Sequence, residues 1–536
     1  MSEVVPSFVG LSGQRLLVSI TFAATMGFLL FGYDQGVMSG IIDAKPFNDV
    51  FTATRDNSTM QGVVTAIYEL GCLGGALFIL ACGDWLGRRW SIMLGATVML
   101  IGVIMQVTSF PKHLPLAQFC IGRVVTGIGN GMNTSTIPTY QAECSRTSNR
   151  GLLICIEGST VAIGTLISYW VNFGCMYGPP DLTWRFPIAF QCVFGLIIIG
   201  TMWFLPESPR WLFTQERYEE GEEVIAALQG KPVNHHDVQL QKNIIMDSLR
   251  ASGMMGGGST PLSAVFTGGK TQHCRRMLLG ASSQFFQQIG GCNAVIYYLP
   301  VLFKKSLGQT EFLSMILGGV NMIVYSIFAC SSWFLISYVG RRRLFLVGAA
   351  VQSLSMVLTF ACLIPGGTEP AKGAAVGLFT FIAAFGATWL PLPWLYPAEI
   401  SPIKTRAKAN AISTCTNWTF NFLIVMVTPI MIRDISWGTY LFFGAINASF
   451  VPFIYFLYPE TAGRSLEEID LIFAKGYLEK MSYVRAAKEL PQLSDEDIER
   501  VALEFGFGGS GSETTAKAGG DSSTESNGGS GEAEKV

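Results

Sequence analysis

Long apolar runs recur along the whole chain and are separated by short polar stretches. An α-helix needs about 20 apolar residues to cross the hydrocarbon core of a bilayer, and about twelve runs approach that length. The pattern therefore predicts an all-α membrane protein with transmembrane helices at residues 16–38, 61–82, 90–110, 115–138, 152–173, 186–205, 276–303, 312–337, 343–364, 373–396, 409–432 and 437–458.

A longer polar stretch, 206–275, separates the sixth run from the seventh. It contains two amphipathic segments, ERYEEGEEVIAALQG and VQLQKNIIMDSLRA, which predict short helices on one face of the membrane. We therefore expect two six-helix bundles joined by a helical insert. The predicted division is 1–15 for an N-terminal segment, 16–205 for the first bundle, 206–275 for the insert, 276–458 for the second bundle and 459–536 for a tail, disordered from about 507.

Composition agrees with a membrane protein. Only 14% of the 536 residues are charged and 50% are hydrophobic, whereas a soluble domain carries about 25% charged residues. The net charge of −2 argues against a nucleic-acid partner. Twelve cysteines are scattered singly, and the four histidines (His113, His235, His236 and His273) fall in polar connections. We therefore expect no disulfide framework, no metal site and no cofactor.

Basic residues indicate how the chain is oriented. Arg88, Arg89 and 341–343 fall in short loops on the same side as the insert and both termini. The positive-inside rule predicts that this side is cytoplasmic. The opposite loop, 39–60, carries the sequon Asn57-Ser58-Thr59, which would then face outward and be glycosylated.

Three pairs of motifs repeat in the same order in the two halves. PTYQAECSRTSNRG (138–151) aligns with PAEISPIKTRA (397–407), DWLGRRW (84–90) with SYVGRRR (337–343), and PESPRWL (206–212) with PETAGRSL (459–466). Two related halves that enclose a site near the middle of the membrane are typical of secondary transporters. We interpret the charged residues of these loops as cytoplasmic salt bridges that lock the outward-open state without contacting substrate, namely Asp84, Arg88, Arg89, Glu143, Arg150, Glu207, Arg341, Arg342, Glu399, Arg406 and Glu460.

Four ionisable residues lie inside the predicted spans, all in the first half: Asp34, Glu69, Arg123 and Glu157. Ionisable groups within a membrane normally pair, and Arg123 is the only cation at depth, so we pair it with Asp34. Asp34 would then bind and release a coupling proton; the alternative is a permanent salt bridge. Glu69 and Glu157 are each a second proton site, an acceptor for a substrate hydroxyl, or a neutral acid bonded to a neighbouring helix.

The second half instead supplies neutral polar side chains. Gln287 and Tyr298 are eleven residues apart, which in one continuous helix would place them on the same face. Amides both donate and accept hydrogen bonds, and an indole ring suits the C–H side of a polyol. The set predicts a neutral, polyhydroxylated ligand, with helix-to-helix packing as the alternative: Gln287, Gln288, Asn293, Tyr297, Tyr298, Asn321, Trp394 and Asn417.

These motifs, together with NTSTIP, QFFQQIGGCNAVIYY and YPETAGRSLEEIDLIFAKGY, resemble the sugar porter family of the major facilitator superfamily over about residues 15–475. The similarity is strongest to fungal glycerol/proton symporters and extends to fungal monosaccharide carriers. The resemblance implies a major facilitator fold, proton coupling through Asp34 and Arg123, and sugar contacts from the amides. It also implies a role in sugar selection for Gly27 and Phe28, with close helix packing as the alternative.

Two positions depart from the family pattern. Gly158 stands where hexose carriers place a glutamine against the sugar, and Ser337 stands where relatives usually have an acid. The first departure also fits the glycerol branch. The second predicts that the loop salt bridges of the second half are weaker than those of the first.

We therefore predict a monomeric plasma-membrane symporter that imports a small neutral solute with protons, with glycerol as the first choice. The alternative is proton symport or facilitated uniport of a pentose or hexose. A non-transporting nutrient sensor would be expected to carry a long structured tail, and an enzyme would need a nucleophile–base set or a metal cluster, of which the loops show no sign.

Overall fold

The computed structural model describes residues 5–110, 114–145, 150–251, 261–402, 404–493, 500, 501, 504 and 505, without the side chains of 150–155, 248, 251 and 368. The helices of its first half are α1 (Gln14–Ile41), α2 (Lys45–Val50), α3 (Ser58–Leu86), α4 (Arg88–Val107), α5 (Pro115–Cys144), α6 (Arg150–Cys175) and α7 (Leu182–Phe204). The insert contains α8 (Pro209–Thr214), α9 (Tyr218–Gln229) and α10 (His236–Ala251).

The second half follows the same plan and adds two short helices at its end. Its helices are α11 (His273–Ile289), α12 (Cys292–Val301), α13 (Glu311–Val339), α14 (Arg341–Leu363), α15 (Thr368–Ala384), α16 (Leu392–Ile400), α17 (Arg406–Asp434), α18 (Gly438–Leu457), α19 (Leu466–Leu478) and α20 (Tyr483–Glu489). Among the described residues, nine stretches are long and apolar enough to cross a membrane: α1, α3, α4, α7, α13, α14, α17, α18 and the run Glu369–Ile400.

The three remaining predicted spans correspond to α5, α6 and the pair α11–α12. They are helical but do not meet the same length and hydropathy threshold. α5 contains Arg123, Asn130 and Asn133, all buried, and the seventh span is interrupted. Helices that turn polar side chains inward lose mean hydropathy without losing contact with the bilayer on their outer face.

The seventh span is two helices. α11 ends at Ile289 and α12 begins at Cys292. Gly291 between them has φ 90°, a left-handed conformation that glycine adopts at little cost. The expectation that Gln287 and Tyr298 share one helix face is therefore wrong, because the three-turn spacing does not continue across this break. The tenth span is also irregular: a π-helical turn, Phe385–Trp389, lies between α15 and α16.

The two halves pack tightly against each other along α3–α17 and α6–α13. A Cβ atom at Gly62 would collide with the Met426 carbonyl of α17, so a glycine is needed there. Within the first half, a Cβ atom at Gly32 would collide with the Val161 backbone, and a Cβ atom at Gly27 with the Ile137 side chain. These contacts favour the packing alternative for the Gly27–Gly32 pattern; Phe28 is buried beside them.

The insert and the tail cover the same end of the helices, which we call the insert side. Phe213, Ile225 and Val238 belong to a small apolar core shared by α8, α9 and α10, and Gly13 N donates to Ala227 O just before α1 begins. In the tail, α19 starts with a Ser465–Glu468 capping box, and the folded part of the tail extends past it through α20. The segment predicted to be disordered from about 507 lies outside the described residues.

Candidate functional site

A buried ion pair lies inside the first half. Arg123 Nη1, on α5, is 3.4 Å from Asp34 Oδ1 on α1, and both side chains are completely buried. Arg123 also donates to Thr65 O on α3 over 3.2 Å and lies 4.7 Å above the Tyr68 ring. Asp34 Oδ2 has no hydrogen-bond partner among the described residues. The structure therefore brings together the two residues that the sequence pairs, and leaves one carboxylate oxygen open to a proton or a water molecule.

The second acid of the first half, Glu69, makes its hydrogen bond across the halves. The Tyr297 hydroxyl of α12 donates to Glu69 Oε1 over 2.6 Å. Asn421, on α17, lies beside the same carboxylate. Glu69 Oε2 and Asn421 Nδ2 have no hydrogen-bond partner within the described part of the chain. The sequence contains no local sign of this link, since the two bonded residues are 228 positions apart.

The third acid, Glu157, is separate from this group. It lies on α6, is only 6% exposed, and forms no ion pair among the described residues. Its neighbour Gly158 faces Pro391 and Leu390 across the halves. A Cβ atom at 158 would lie 3.6–3.8 Å from these residues, an ordinary van der Waals distance, so position 158 borders the second half without being forced to be glycine.

The amides of the second half form a continuous hydrogen-bonded chain. Asn417 Nδ2 donates to Gln284 Oε1 (2.5 Å) and Gln287 Oε1 (3.0 Å). Gln288 Nε2 lies 3.4 Å from the same Gln287 oxygen, and Asn293 Nδ2 donates to Gln288 Oε1 over 2.8 Å. Asn293 then reaches Asn421 Oδ1 at 2.7 Å. The chain thus ends beside Glu69 and joins the polar groups of the two halves in one buried layer.

The irregular tenth span anchors this chain. Gln287 Nε2 donates to Trp389 O and Leu390 O, and Gln284 Nε2 to Pro393 O. The Trp389 and Leu390 carbonyls lie at the interruption between α15 and α16, and the Pro393 carbonyl has no helical donor because Pro397 lacks an N–H group. All three therefore receive side-chain donors, as buried backbone groups require.

The other predicted ligand residues occupy different surroundings. Asn321 on α13 is completely buried, and both of its amide atoms lack a partner among the described residues. Tyr298 instead donates to the Val425 carbonyl on α17. Trp394 on α16 is half-buried. A buried amide without a protein partner is the arrangement expected of a ligand contact, so Asn321 is the best candidate of these three.

The charged loops form two matching networks on the insert side. In the first half, Arg88 binds Glu143 through Nε (3.1 Å) and Nη2 (3.2 Å), and Glu207 accepts the backbone N–H groups of Arg88 and Arg89. In the second half, Arg341 Nη2 donates to Glu399 Oε1 over 2.7 Å. Glu460 accepts the backbone N–H groups of Arg341 and Arg342. Burial raises the pKa of Glu207, and the N–H groups that it accepts oppose that shift.

The remaining loop residues differ in importance. Asp84 is 3.3 Å from Arg88 but its side chain is 81% exposed. Arg406 donates to Ser401 O, while the side chain of Arg150 lies outside the described residues. Asn57, the sequon residue, is exposed and accepts a hydrogen bond from Met60 N as the N-cap of α3.

An ionic contact joins the halves on the side opposite the insert. Lys304, in a π-helical turn after α12, is 2.9 Å from Asp43 at the end of the α1 segment, and Lys305 is 3.5 Å from the same carboxylate. This contact was not predicted, because charged residues in polar loops are ordinarily solvated.

Sequence reasoning also missed two amides and one ring contact of the site. Gln284 precedes Gln287 by three residues and Asn421 follows Asn417 by four, which is the spacing of neighbours on one helix face. That spacing is a signal that could have identified both. Trp418, whose ring meets Phe31 edge-on across the halves at 5.5 Å, carries no comparable signal.

Comparisons with known proteins give consistent results. A family model described as sugar (and other) transporter matches residues 20–473. The chain is 47% identical to the sugar transporter STL1 of Saccharomyces cerevisiae, over 93% of this chain and 88% of that protein. It is 45% identical to the major facilitator superfamily transporter mfsA of Aspergillus fumigatus, over 93% of each.

Solved structures give the same answer for the fold. The proton:xylose symporter XylE bound to 6-bromo-6-deoxy-D-glucose is similar with a TM-score of 0.72 at 25% identity, over 85% of this chain and 99% of that one. The inward open conformation of XylE from E. coli gives a TM-score of 0.69 at 25% identity, with the same coverage.

Proposed function

The chain belongs to the sugar transporter family of the major facilitator superfamily, and from that premise we propose that it is a proton-coupled symporter that imports a small neutral polyhydroxylated solute by alternating access. The family and the major facilitator fold predicted from the paired motifs are confirmed by the match over residues 20–473 and by the similarity to XylE. Glycerol is the solute we favour.

One observation carries the proposal: a fully buried Asp34–Arg123 pair lies beside a layer of uncharged hydrogen-bonding groups. An ion pair inside a membrane protein is costly and is seldom retained without a function. The amide chain offers donors and acceptors but no charge, which suits hydroxyl groups rather than an anion. A curated relative is named a sugar transporter and a structural neighbour a proton:xylose symporter.

The geometry supports the following sequence of events. With the site open opposite the insert, Asp34 takes up a proton and its attraction for Arg123 falls. The solute is held by the amides of the second half, and the halves reorient around it. Solute and proton then leave on the insert side, where reformation of the Asp34–Arg123 pair favours loss of the proton. The two loop networks stabilise the state that is closed on the insert side.

The choice of solute rests on the absence of a side chain at Gly158, which borders the second half. Without a side chain at 158, the site has one hydroxyl partner fewer than the hexose-carrier pattern, and Glu157 is the polar group nearest in sequence. A short polyol fits this arrangement. A monosaccharide is the second candidate, because the same amide chain would serve a pentose or a hexose. We further propose a monomer in the plasma membrane, with the insert side cytoplasmic and Asn57 glycosylated on the outside.

Uptake measurements test this proposal directly. The protein is expressed in a transporter-deficient yeast, and uptake of labelled glycerol, xylose and glucose is followed with and without a protonophore. We expect accumulation of glycerol that the protonophore abolishes. The Asp34→Asn variant should lose accumulation but retain downhill exchange, because the solute-binding amides are untouched.

The same assay separates the alternatives. Accumulation that the protonophore does not affect would rule out proton symport, and saturable glucose uptake without glycerol uptake would rule out the glycerol preference. If a pH electrode still records substrate-induced alkalinisation with Asp34→Asn, the proton must travel through Glu69 or Glu157 instead.

A further inference from the structure

The hydrogen bond between Tyr297 and Glu69 connects the two halves at the level of the buried charges. Both side chains are completely buried, and their oxygens are 2.6 Å apart. Tyr297 belongs to α12, which is followed by the π-helical turn Leu302–Ser306 and preceded by the Gly290–Gly291 break. α12 is thus a ten-residue helix with an irregular joint at each end, and the Tyr297–Glu69 hydrogen bond ties it to α3 of the first half.

Glu69 also borders the proton-binding pair. Arg123 Nη2 donates to the Thr65 carbonyl, one helical turn before Glu69 on α3. The second oxygen of Glu69 has no partner among the described residues. The Arg123 guanidinium is thus paired with Asp34 and lies close enough to Glu69, on a different helix, to attract its carboxylate. The groups that face Glu69 are Asp34 on α1, Tyr68 and Cys72 on α3, Arg123 on α5, Tyr297 on α12 and Asn421 on α17.

From this geometry we infer that Glu69 is a positioning residue that couples protonation of Asp34 to the release of α12, an inference that rests on the proposed proton symport. A proton on Asp34 frees Arg123, and the guanidinium turns to the remaining carboxylate. A carboxylate paired with Arg123 is a weaker acceptor for Tyr297, because its negative charge is already neutralised. α12 then separates from α3, and the broken seventh span can move.

Two variants have opposite expected effects. Glu69→Gln retains an acceptor for Tyr297 but cannot attract Arg123, so α12 stays held and turnover falls about tenfold, which corresponds to a rise of about 1.4 kcal/mol in the barrier. Tyr297→Phe removes the bond between α12 and α3 in every state, so solute crosses without its proton and the proton-to-solute ratio falls. In the double variant the side chain at 69 has no tyrosine hydroxyl to accept from. We therefore expect the phenotype of Tyr297→Phe alone.

The full-length protein in liposomes provides both readouts. Labelled glycerol, or labelled glucose if the wild type does not accumulate glycerol, reports solute movement, and an internal pH dye reports protons. Tyr169→Phe is the matched control, because the Tyr169 hydroxyl also bonds α12 across the halves, through the Ile296 carbonyl at 2.5 Å, without a carboxylate. It should preserve the proton-to-solute ratio. Size-exclusion profiles confirm that each variant is folded.

Wild-type turnover with Glu69→Gln, or a double variant slower than either single one, would overturn the inference. Its failure is distinguishable from failure of the proposed symport. Equilibrium exchange of labelled solute needs no proton gradient. It therefore compares the turnover of the Glu69 and Tyr297 single variants with that of the double variant even if the wild type carries no protons.

Discussion

The two halves share one architecture but not one chemistry. At the insert side their main loop contacts are equivalent: Glu207 accepts the first N–H groups of α4, and Glu460 accepts those of α14. Tyr140 and Tyr396 also play equivalent parts, with hydroxyls bonded to the Pro206 and Pro459 carbonyls. The repeat has thus preserved the loops that hold each bundle together.

In the middle of the membrane the halves diverge. The first half contributes the buried ionisable groups Asp34, Glu69, Arg123 and Glu157, and the second half a chain of six amides from Gln284 to Asn421. This division has a physical advantage. A charge that gains and loses a proton changes the field around it, and keeping it away from the solute lets the hydroxyl contacts persist through both protonation states.

The largest effect on this difference between the halves should come from removing Arg123, the only described cation of the first-half site. Arg123→Met leaves Asp34 and Glu69 without their counter-charge in a buried position, and loss of one partner of a buried pair costs about 3–5 kcal/mol. We expect little folded protein and no transport. The yield of monodisperse protein in size-exclusion chromatography measures this.

A paired substitution provides the control for Arg123. Replacing both members, Asp34→Asn with Arg123→Met, removes the unpaired charge and should recover most of the folded protein, but not proton-driven accumulation. Equal losses in the single and double variants would mean that Arg123 is needed for packing rather than for charge balance.

The next largest effect should come from the second half and change only the affinity for solute. Asn417→Leu leaves the buried Gln284 Oε1 without the Asn417 donor and leaves Gln287 Oε1 with only the 3.4 Å contact from Gln288 Nε2. Because an unmade buried hydrogen bond costs about 1–3 kcal/mol, we expect the KM for solute to rise about tenfold. The proton-to-solute ratio at saturation should not change. Initial-rate uptake with simultaneous pH recording checks both quantities.

Gln106→Met is the matched control in the first half. Gln106 is a buried amide bonded to Thr126, away from the amide chain, and its replacement should leave the KM within about twofold of wild type. If Asn417→Leu instead abolishes substrate-induced alkalinisation at saturating solute, proton and solute are not handled by separate halves.

Much of the fold follows from periodicity. The predicted spans 61–82 and 409–432 lie within Ser58–Leu86 and Arg406–Asp434, because each helix continues a few residues beyond the apolar core into the polar interface. The Gly290–Gly291 break was not predicted. Glycine is equally compatible with close packing of continuous membrane helices, so its presence does not reveal an interruption.

The site was partly predictable for a similar reason. Asp34 and Arg123 stand out because a charge in an apolar run has few explanations, and the structure places them together. The partner of Glu69 could not be derived, since Tyr297 meets it only where the two halves pack together, 228 positions along the chain. The roles assigned to these residues stay predictions until transport is measured.

The loop networks offer the finest test of how alike the halves are. Glu143 and Glu399 are 11% and 18% exposed and each holds an arginine at two or more atoms. Glu143→Ala and Glu399→Ala should therefore destabilise the protein similarly, by about 2 kcal/mol or more, because hydrogen bonds to charged groups are strong. Thermal unfolding in detergent compares them side by side. A much smaller loss for Glu399→Ala would support the weaker second-half network predicted from Ser337.

The smallest effect is expected at Asp84. Its presence in the first half, where the second half has Ser337, was the reason for predicting stronger loop salt bridges in the first half. Asp84→Ser gives the first half the residue that the second half has at 337. Because the Asp84 side chain is 81% exposed and exposed ion pairs contribute less than about 1 kcal/mol, the variant should unfold within a few degrees of wild type and transport normally. Arg341 holds Glu399 at 2.7 Å with a serine at 337, which indicates that the buried glutamate, rather than the exposed aspartate, secures the arginine in both halves.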